Sequence, residues 1–310
     1  MMLRRPPAVQ RGAALIMALL VVALATTLAT GMIWRQDMWL RQVETRRDLA
    51  QARLLAMAGI DWARAVLAED ARTSNTDHLG EPWATKVPAM PAEGGEIGGE
   101  MVDEQAKWNL NNLVRNGQVQ ADSLAVFGRL LERLQLPQTL ALTLADWLDA
   151  DGEATPDGAE DAYYLGQTTP YRSANRELSD LDNLLRVRGF NSVIIEKLRP
   201  YVSVLPGYNP VNLNTTSAIV LAAVLPNLST SDAQQIIAER DRIPFRDVAD
   251  FRNRLPRLEQ GNSAGNPQLE ARSRYFNVLI RSRYGNADVA STALLDRLTP
   301  WPAIVWQKFE

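Results

Sequence analysis

Hydrophobic and polar positions divide the first seventy residues into two halves of one helix. From Gly12 to Trp34 no residue is charged, while Arg4, Arg5 and Arg11 precede the run and Arg35 follows it. At 1.5 Å per residue this run makes a helix of about 34 Å, enough to cross a hydrocarbon core. From Trp34 to about Asp70 helix formers continue without proline, and Gly59 is the only glycine. Leu55, Ala58, Trp62 and Val66 recur at the i, i+3/i+4 spacing of a helix with one buried stripe. The pattern predicts a single helix of about 57 residues, roughly 85 Å long, with its first half in lipid and its second half packed on a domain.

Beyond it, "RTSNTDHLGEPWATKVPAMPAEGGEIGGE" is rich in Gly, Pro and polar residues and reads as loop. Short β-type stretches follow around "GEMVDEQAKWNLNNL". Near the end, alternation at Phe276, Val278 and Ile280, a "YGNA" turn and Val289 to Leu295 predict an antiparallel hairpin with a final strand after it. Between about residues 120 and 272 the pattern is helical, in segments such as "DSLAVFGRLLERLQ", "QTLALTLADWLDA" and "STSDAQQIIAERD", several opening on Ser, Thr or Asp as N-caps do. The fold class is therefore α+β. A transmembrane half-helix over 13–35 leads into a small α/β domain from 36–119 and 273–310, which encloses an all-helical insertion over 120–272.

Composition narrows the function classes. A formal net charge of −3 argues against a general nucleic-acid binder, which needs a basic face to displace phosphate counterions. Cysteine is absent, which removes disulfides, thiolate catalysis and Cys-based zinc together. The lone His78, beside Asp77 in a polar stretch, has no partners for a histidine-based triad and reads as a surface loop residue.

The N-terminal segment admits a cleaved secretory peptide, with a small-x-small pattern at Ala23-Leu24-Ala25. The helical continuation past Trp34 argues against it. A basic leader over 1–12 ending in Gly12, then "AALIMALLVVALATTLATG" running into a long half-amphipathic helix, resembles the class III leader of type IV pilins and pseudopilins. That resemblance implies cleavage by a prepilin peptidase between Gly12 and Ala13, methylation of the new N-terminus, a cytoplasmic N-terminus and a periplasmic body on the bacterial inner membrane. The family usually carries Glu at the fifth mature position, where this chain has Met17. A carboxylate in an apolar helix bundle is costly unless paired, so a subunit without it suits the end of a filament. Lack of that Glu and unusual size resemble the K family of minor pseudopilins of type II secretion systems. The implied partners are minor pseudopilins I and J, with H as a further candidate, and the major pseudopilin; no nucleic acid and no enzymatic activity are implied.

"DWLDADGEATPDGAEDAYY" places Asp146, Asp149, Asp151, Glu153, Asp157, Glu160 and Asp161 in one stretch, with no Lys or Arg between Arg133 and Arg172. Such like charge repels itself unless a cation joins it. Asp149, Asp151, Glu153 and Glu160 fall at positions 1, 3, 5 and 12 of an EF-hand-like count, although the Gly expected at position 6 is Ala154. The loop is thus expected to bind calcium through Asp149, Asp151, Glu153, Glu160 and Asp161, without being an EF-hand, and the family resemblance implies calcium in the helical domain as well. Two alternatives are a solvated acidic loop and a pair of carboxylates in acid–base catalysis.

Finally, "NPVNLNTTSAIVLAAVLPNLSTSDAQQIIAERDRIPFRDVADFRNRL" resembles helix-hairpin-helix modules of DNA-binding competence proteins, but its hairpin "LPNLSTSD" lacks the glycines that let backbone N–H groups approach phosphate. It reads as the same packing unit used for protein contact. A membrane-anchored DNA-binding protein of competence type is the alternative function, and a minor pilin of a type IV pilus is the third.

Overall fold

The computed structural model of the chain describes residues 10–255 and 268–310. Most of the expected leader, residues 1–9, and the stretch 256–267 of the expected insertion lie outside them. Helix α1, Gln10–Thr73, runs unbroken over 64 residues. It contains both predicted halves and extends past each predicted end. Residues 13–47 are exposed on every side, and packing against the body begins near Leu49.

The buried side of α1 is offset from the expected one, sharing Leu55 and Val66 with it. Ala52, Leu55, Ala56, Ile60, Ala63 and Leu67 are buried, whereas Trp62 is 54% exposed, Ala58 is also exposed and Val66 only half-buried. Two overlapping stripes of helical period exist here, and the one rich in small residues faces the sheet. A Cβ on Gly59 would lie 2.8 Å from Ile97 Cδ1 and 2.9 Å from Ile280 Cγ2. Small side chains let helix and sheet close on one another, and the dispersion and burial gained along the whole contact outweigh the hiding of one Trp.

The sheet has five antiparallel strands in chain order: β1 Val87–Ala92, β2 Gly95–Asp103, β3 Tyr275–Tyr284, β4 Ala287–Asp296 and β5 Ala303–Phe309. The β2–β3 pairing, with Asp103 opposite Phe276, joins the two distant ends of the α/β domain as expected. The hairpin β1–β2 corrects the loop expected there. Its turn places Glu93 at φ 46° and Gly94 at φ 82°, the left-handed pair that a two-residue hairpin of the twist-matching kind requires. Pro88 and Pro91 disguised the first strand. Because β1 is an edge, prolines are tolerated there and shield it from further pairing.

Among the described residues, seven α-helices lie between β2 and β3: α2 Ala121–Arg133, α3 Thr139–Leu148, α4 Asp161–Tyr164, α5 Ser192–Leu198, α6 Ala218–Val224, α7 Thr230–Arg242 and α8 Val248–Arg254. Side-chain caps open several of them: Asn191 accepts from the Ile194 amide, Ser217 from Val220 and Asp247 from Asp250. This domain has its own apolar core, separate from that between α1 and the sheet. The larger core includes Trp108, Leu110 and Leu113, and Trp108 stacks on Phe127 with ring centroids 5.4 Å apart. Trp108, Leu110 and Leu113, expected within the α/β domain, thus pack in the core of the insertion. Trp108–Asn109 pairs in parallel with Val202–Ser203, a partnership that only the folded insertion supplies.

A buried polar network couples the two cores. Asp103 Oδ2 accepts from Asn212 Nδ2 at 3.0 Å, Thr215 Oγ1 at 2.6 Å and Ser273 Oγ at 2.7 Å. Burial pushes the Asp103 carboxyl up to about 6 even so, with Asp77 adding repulsion.

Candidate metal centre

The acidic loop is carried between two short helices that are locked together by aromatic rings. Trp147, near the end of α3, meets Tyr164, the last residue of α4, edge to face with centroids 4.9 Å apart, and Tyr164 in turn meets Tyr171 at 5.3 Å. Helix α3 is buried on nearly every side, so its C-terminal end is fixed in place. Asp149 follows directly, its amide donating to the Ala145 carbonyl at 3.0 Å. Across the loop, Asn175 Nδ2 donates to the Asp151 carbonyl at 2.8 Å and Arg188 Nη1 to the Gly158 carbonyl at 2.9 Å.

Asp146 holds the loop's fold. It is fully buried, and accepts from the Thr155 amide at 3.0 Å and the Thr155 hydroxyl at 2.8 Å. Gly158 passes so close that a Cβ there would stand 1.9 Å from Asp146 Oδ2. Its charge was legible in the sequence, but its role as a latch was not. The reason is that α3 turns it inward, towards Thr155, which carries no charge to mark it.

Of the five expected ligands, two are buried with an oxygen left for a cation, although among the described residues no three acids of the loop bring oxygens within 4.8 Å of one another. Asp149 is 5% exposed and Glu160 is 2% exposed. Asp149 Oδ1 and Glu160 Oε1 are buried with no hydrogen-bond partner. Burial first, then repulsion from Asp151, Asp146 and Glu160, raises the Asp149 carboxyl to about 7, and burial raises Glu160 as well. An orphaned buried carboxylate oxygen costs the full desolvation of that group.

Asp161 is half-buried and already engaged, since its Oδ1 accepts from the Ser173 amide at 2.9 Å, while Ser173 Oγ donates to Glu160 Oε2 at 2.6 Å. Asp151 is exposed but near enough to repel Asp149, and its Oδ1 accepts from the Glu153 amide at 2.9 Å. Glu153 stands in solvent, as Asp151 does. Donors here are all oxygen, which suits a hard divalent cation such as calcium, and Asp149 and Glu160, with Asp151 at the rim, are the residues that would hold it.

Gly12 and Ala13 lie in the first turn of α1, and Met17 is an exposed residue of that helix at 64%. Among the described residues one helix, α1, is long and apolar enough to cross a membrane.

A long N-terminal helix whose second half packs on an antiparallel sheet, with a helical domain inserted between the strands, defines a membrane-anchored subunit of the pilin type. The family described as "Type II secretion system (T2SS), protein K" matches residues 106–207 and 211–272. Among relatives, the type II secretion system protein K of Pseudomonas aeruginosa is 37% identical over 300 residues, spanning 93% of this chain and 89% of that protein. The protein K of Klebsiella pneumoniae is 32% identical, spanning 93% of each chain. A chain in the crystal structure of the GspK-GspI-GspJ complex from enterotoxigenic Escherichia coli superposes with a TM-score of 0.76 at 23% identity, covering 87% of this chain and 99% of that one. The chain belongs to the type II secretion system protein K family and is a minor pseudopilin of that system.

Proposed function

We propose that this minor pseudopilin stands at the tip of a periplasmic pseudopilus, where it starts and caps assembly together with pseudopilins I and J. The observation that carries the reading is α1 itself. Residues 13–47 are exposed, and the uncharged run within them, about 34 Å long, has to be covered by lipid before assembly and by neighbouring helices after it. Met17 supplies no carboxylate to pair with a subunit placed beyond it, and the large helical domain would obstruct the addition of such a subunit. The exposed Leu54, Met57 and Trp62 continue an apolar surface along α1 on which I- and J-type subunits pack, in line with the complex named for the related structure. Positive charge ahead of the apolar run orients the N-terminus to the cytoplasm and the body to the periplasm. Cleavage by a prepilin peptidase falls between Gly12 and Ala13.

In the same reading the helical domain holds calcium through Asp149 and Glu160, with Asp151 at the rim. The ion would supply the positive charge that this buried pair lacks, and so order the loop; the residues themselves fix its two ends through Trp147 and Tyr164.

Labelling of this subunit in overproduced pseudopili tests the tip assignment. Label confined to one end of each fibre, in fixed ratio with I and J, is the expected result; label distributed along the shaft would refute it.

A further inference from the structure

A second acidic cluster lies at the far end of α1, away from the loop. One oxygen each from Asp70, Asp77 and Glu81 lie within 4.8 Å of one another. Asp77 is 0% exposed, and Asp70 and Glu81 are each 8% exposed. Three separate pieces of chain meet here: the last turns of α1, the segment that follows it, and the end of β4 with the adjoining Arg297.

Each of these carboxyls commits one oxygen to the fold. Asp70 Oδ2 accepts from Arg297 Nη1 at 2.7 Å. Asp77 Oδ2 accepts from Arg297 Nη2 and from the Ser273 amide. Glu81 Oε2 accepts from the His78 amide at 3.0 Å and from the Trp83 indole at 2.7 Å. The other oxygens are not so used. Asp77 Oδ1 is buried without a partner, and among the described residues no hydrogen bond reaches Asp70 Oδ1 or Glu81 Oε1, whose nearest ionic neighbour is His78 Nε2 at 3.8 Å.

The charges do not balance. Asp70, Asp77 and Glu81 face a single guanidinium, and Asp103 adds a fourth carboxyl close enough to be repelled by Asp77. Arg297 cannot shift to cover Glu81, because it is held by Asp70, Asp77 and the Ser273 carbonyl and stacked over Phe276 at 4.8 Å. Burying unpaired negative charge is expensive, and proteins meet the cost with a counter-ion, a metal or a proton.

We propose that Asp70, Asp77 and Glu81 form a second site for a hard divalent cation of the calcium or magnesium kind, which ties the end of α1 to the segment after it, with Arg297 as the fixed counter-charge to one side. An all-oxygen set selects such cations over softer ones. The Asp70 carboxyl, raised to about 6 by burial and by Glu81 and Asp77, is consistent with the same excess of negative charge. This inference does not depend on the loop site.

The test uses the full chain in detergent with the loop silenced by Asp149→Asn and Glu160→Gln. Calcium and magnesium are titrated calorimetrically, and terbium emission is read on tryptophan excitation, since Trp83 bonds directly to Glu81 and is placed to sensitise a bound lanthanide. One equivalent of cation and a sensitised signal are expected, both lost on adding Glu81→Gln while near-ultraviolet circular dichroism is unchanged. In the chain with its native loop, Glu81→Gln alone should lower the stoichiometry by one. Unchanged stoichiometry and emission in Glu81→Gln, or no cation uptake by the folded loop-silenced chain, would overturn the site and assign the excess charge to protonation.

Discussion

Gly59 shows how one missing side chain sets the distance between α1 and the sheet. Its Cβ position is 2.8 Å from Ile97 Cδ1 and 2.9 Å from Ile280 Cγ2, both methyl ends of side chains rather than backbone. Gly59→Ala gains roughly 1 kcal/mol of helix propensity, but its Cβ would stand under 3.0 Å from both methyls and force Ile97 and Ile280 to shift; the overpacking outweighs the propensity, and the variant should be mildly destabilised, by about 1 kcal/mol. Gly59→Leu overpacks the contact and should destabilise by about 1–3 kcal/mol, read as a lower denaturant midpoint at unchanged slope. A midpoint for Gly59→Leu equal to wild type would mean that α1 is not closely seated. The glycine was visible in the sequence, but its meaning was not, because the stripe chosen by size, through Ala58 and Trp62, lies along an open groove beside the sheet rather than against it.

Among elements, the α3–loop–α4 unit depends most on its surroundings. Without a cation Asp149 and Glu160 repel, so in chelator Asp149→Asn should leave stability unchanged or raise it. With calcium at about a hundred times its dissociation constant, binding to the native state alone contributes about 2.7 kcal/mol, and the same variant should lose that gain. Thermal unfolding with and without calcium distinguishes the two; a wild-type transition indifferent to calcium would remove the ion from the loop. The loop was recognisable by its acidic density and by the absence of Lys and Arg. Which carboxylates face inward was not recognisable, because that follows from the rings of Trp147 and Tyr164 fixing the loop's ends. The hairpin β1–β2 was hidden for a related reason: proline and glycine signal loop, and only an edge position makes them compatible with a strand.

At the scale of the whole molecule, Asp103 lies in the buried network that joins the two cores, within reach of Asn212 and Thr215 of the helical domain. Its carboxyl is raised to about 6 in the fold, against an ordinary value near 4 when unfolded. The folded protein therefore binds the extra proton first, so this contribution to stability grows as pH falls from about 7 towards 4 and is lost as pH rises through 6. The full effect is about 3 kcal/mol. In chelator, the unfolding free energy should rise on going from pH 7 to pH 5, and Asp103→Asn should make that rise shallower by its own share, the raised carboxyls of Asp70 and Asp149 supplying the rest; an equally steep dependence in the variant would place the titrating group elsewhere.

By itself the sequence determined the long helix, the class of the fold and most helix positions, because these depend on local propensity and on periodicities of 3.6 and 2 that need no knowledge of neighbours. It also carried the leader at Gly12 and Ala13 and the uncharged Met17, which are properties of composition at fixed positions. Tertiary structure alone decided which face of α1 is buried, that Trp108 packs in the core of the inserted domain, that Asp149 and Glu160 of the loop are the buried ones, and that Asp70 meets Asp77 and Glu81. Those outcomes rest on contacts between residues far apart in the chain, where close approach and shared burial, not sequence spacing, determine the energy.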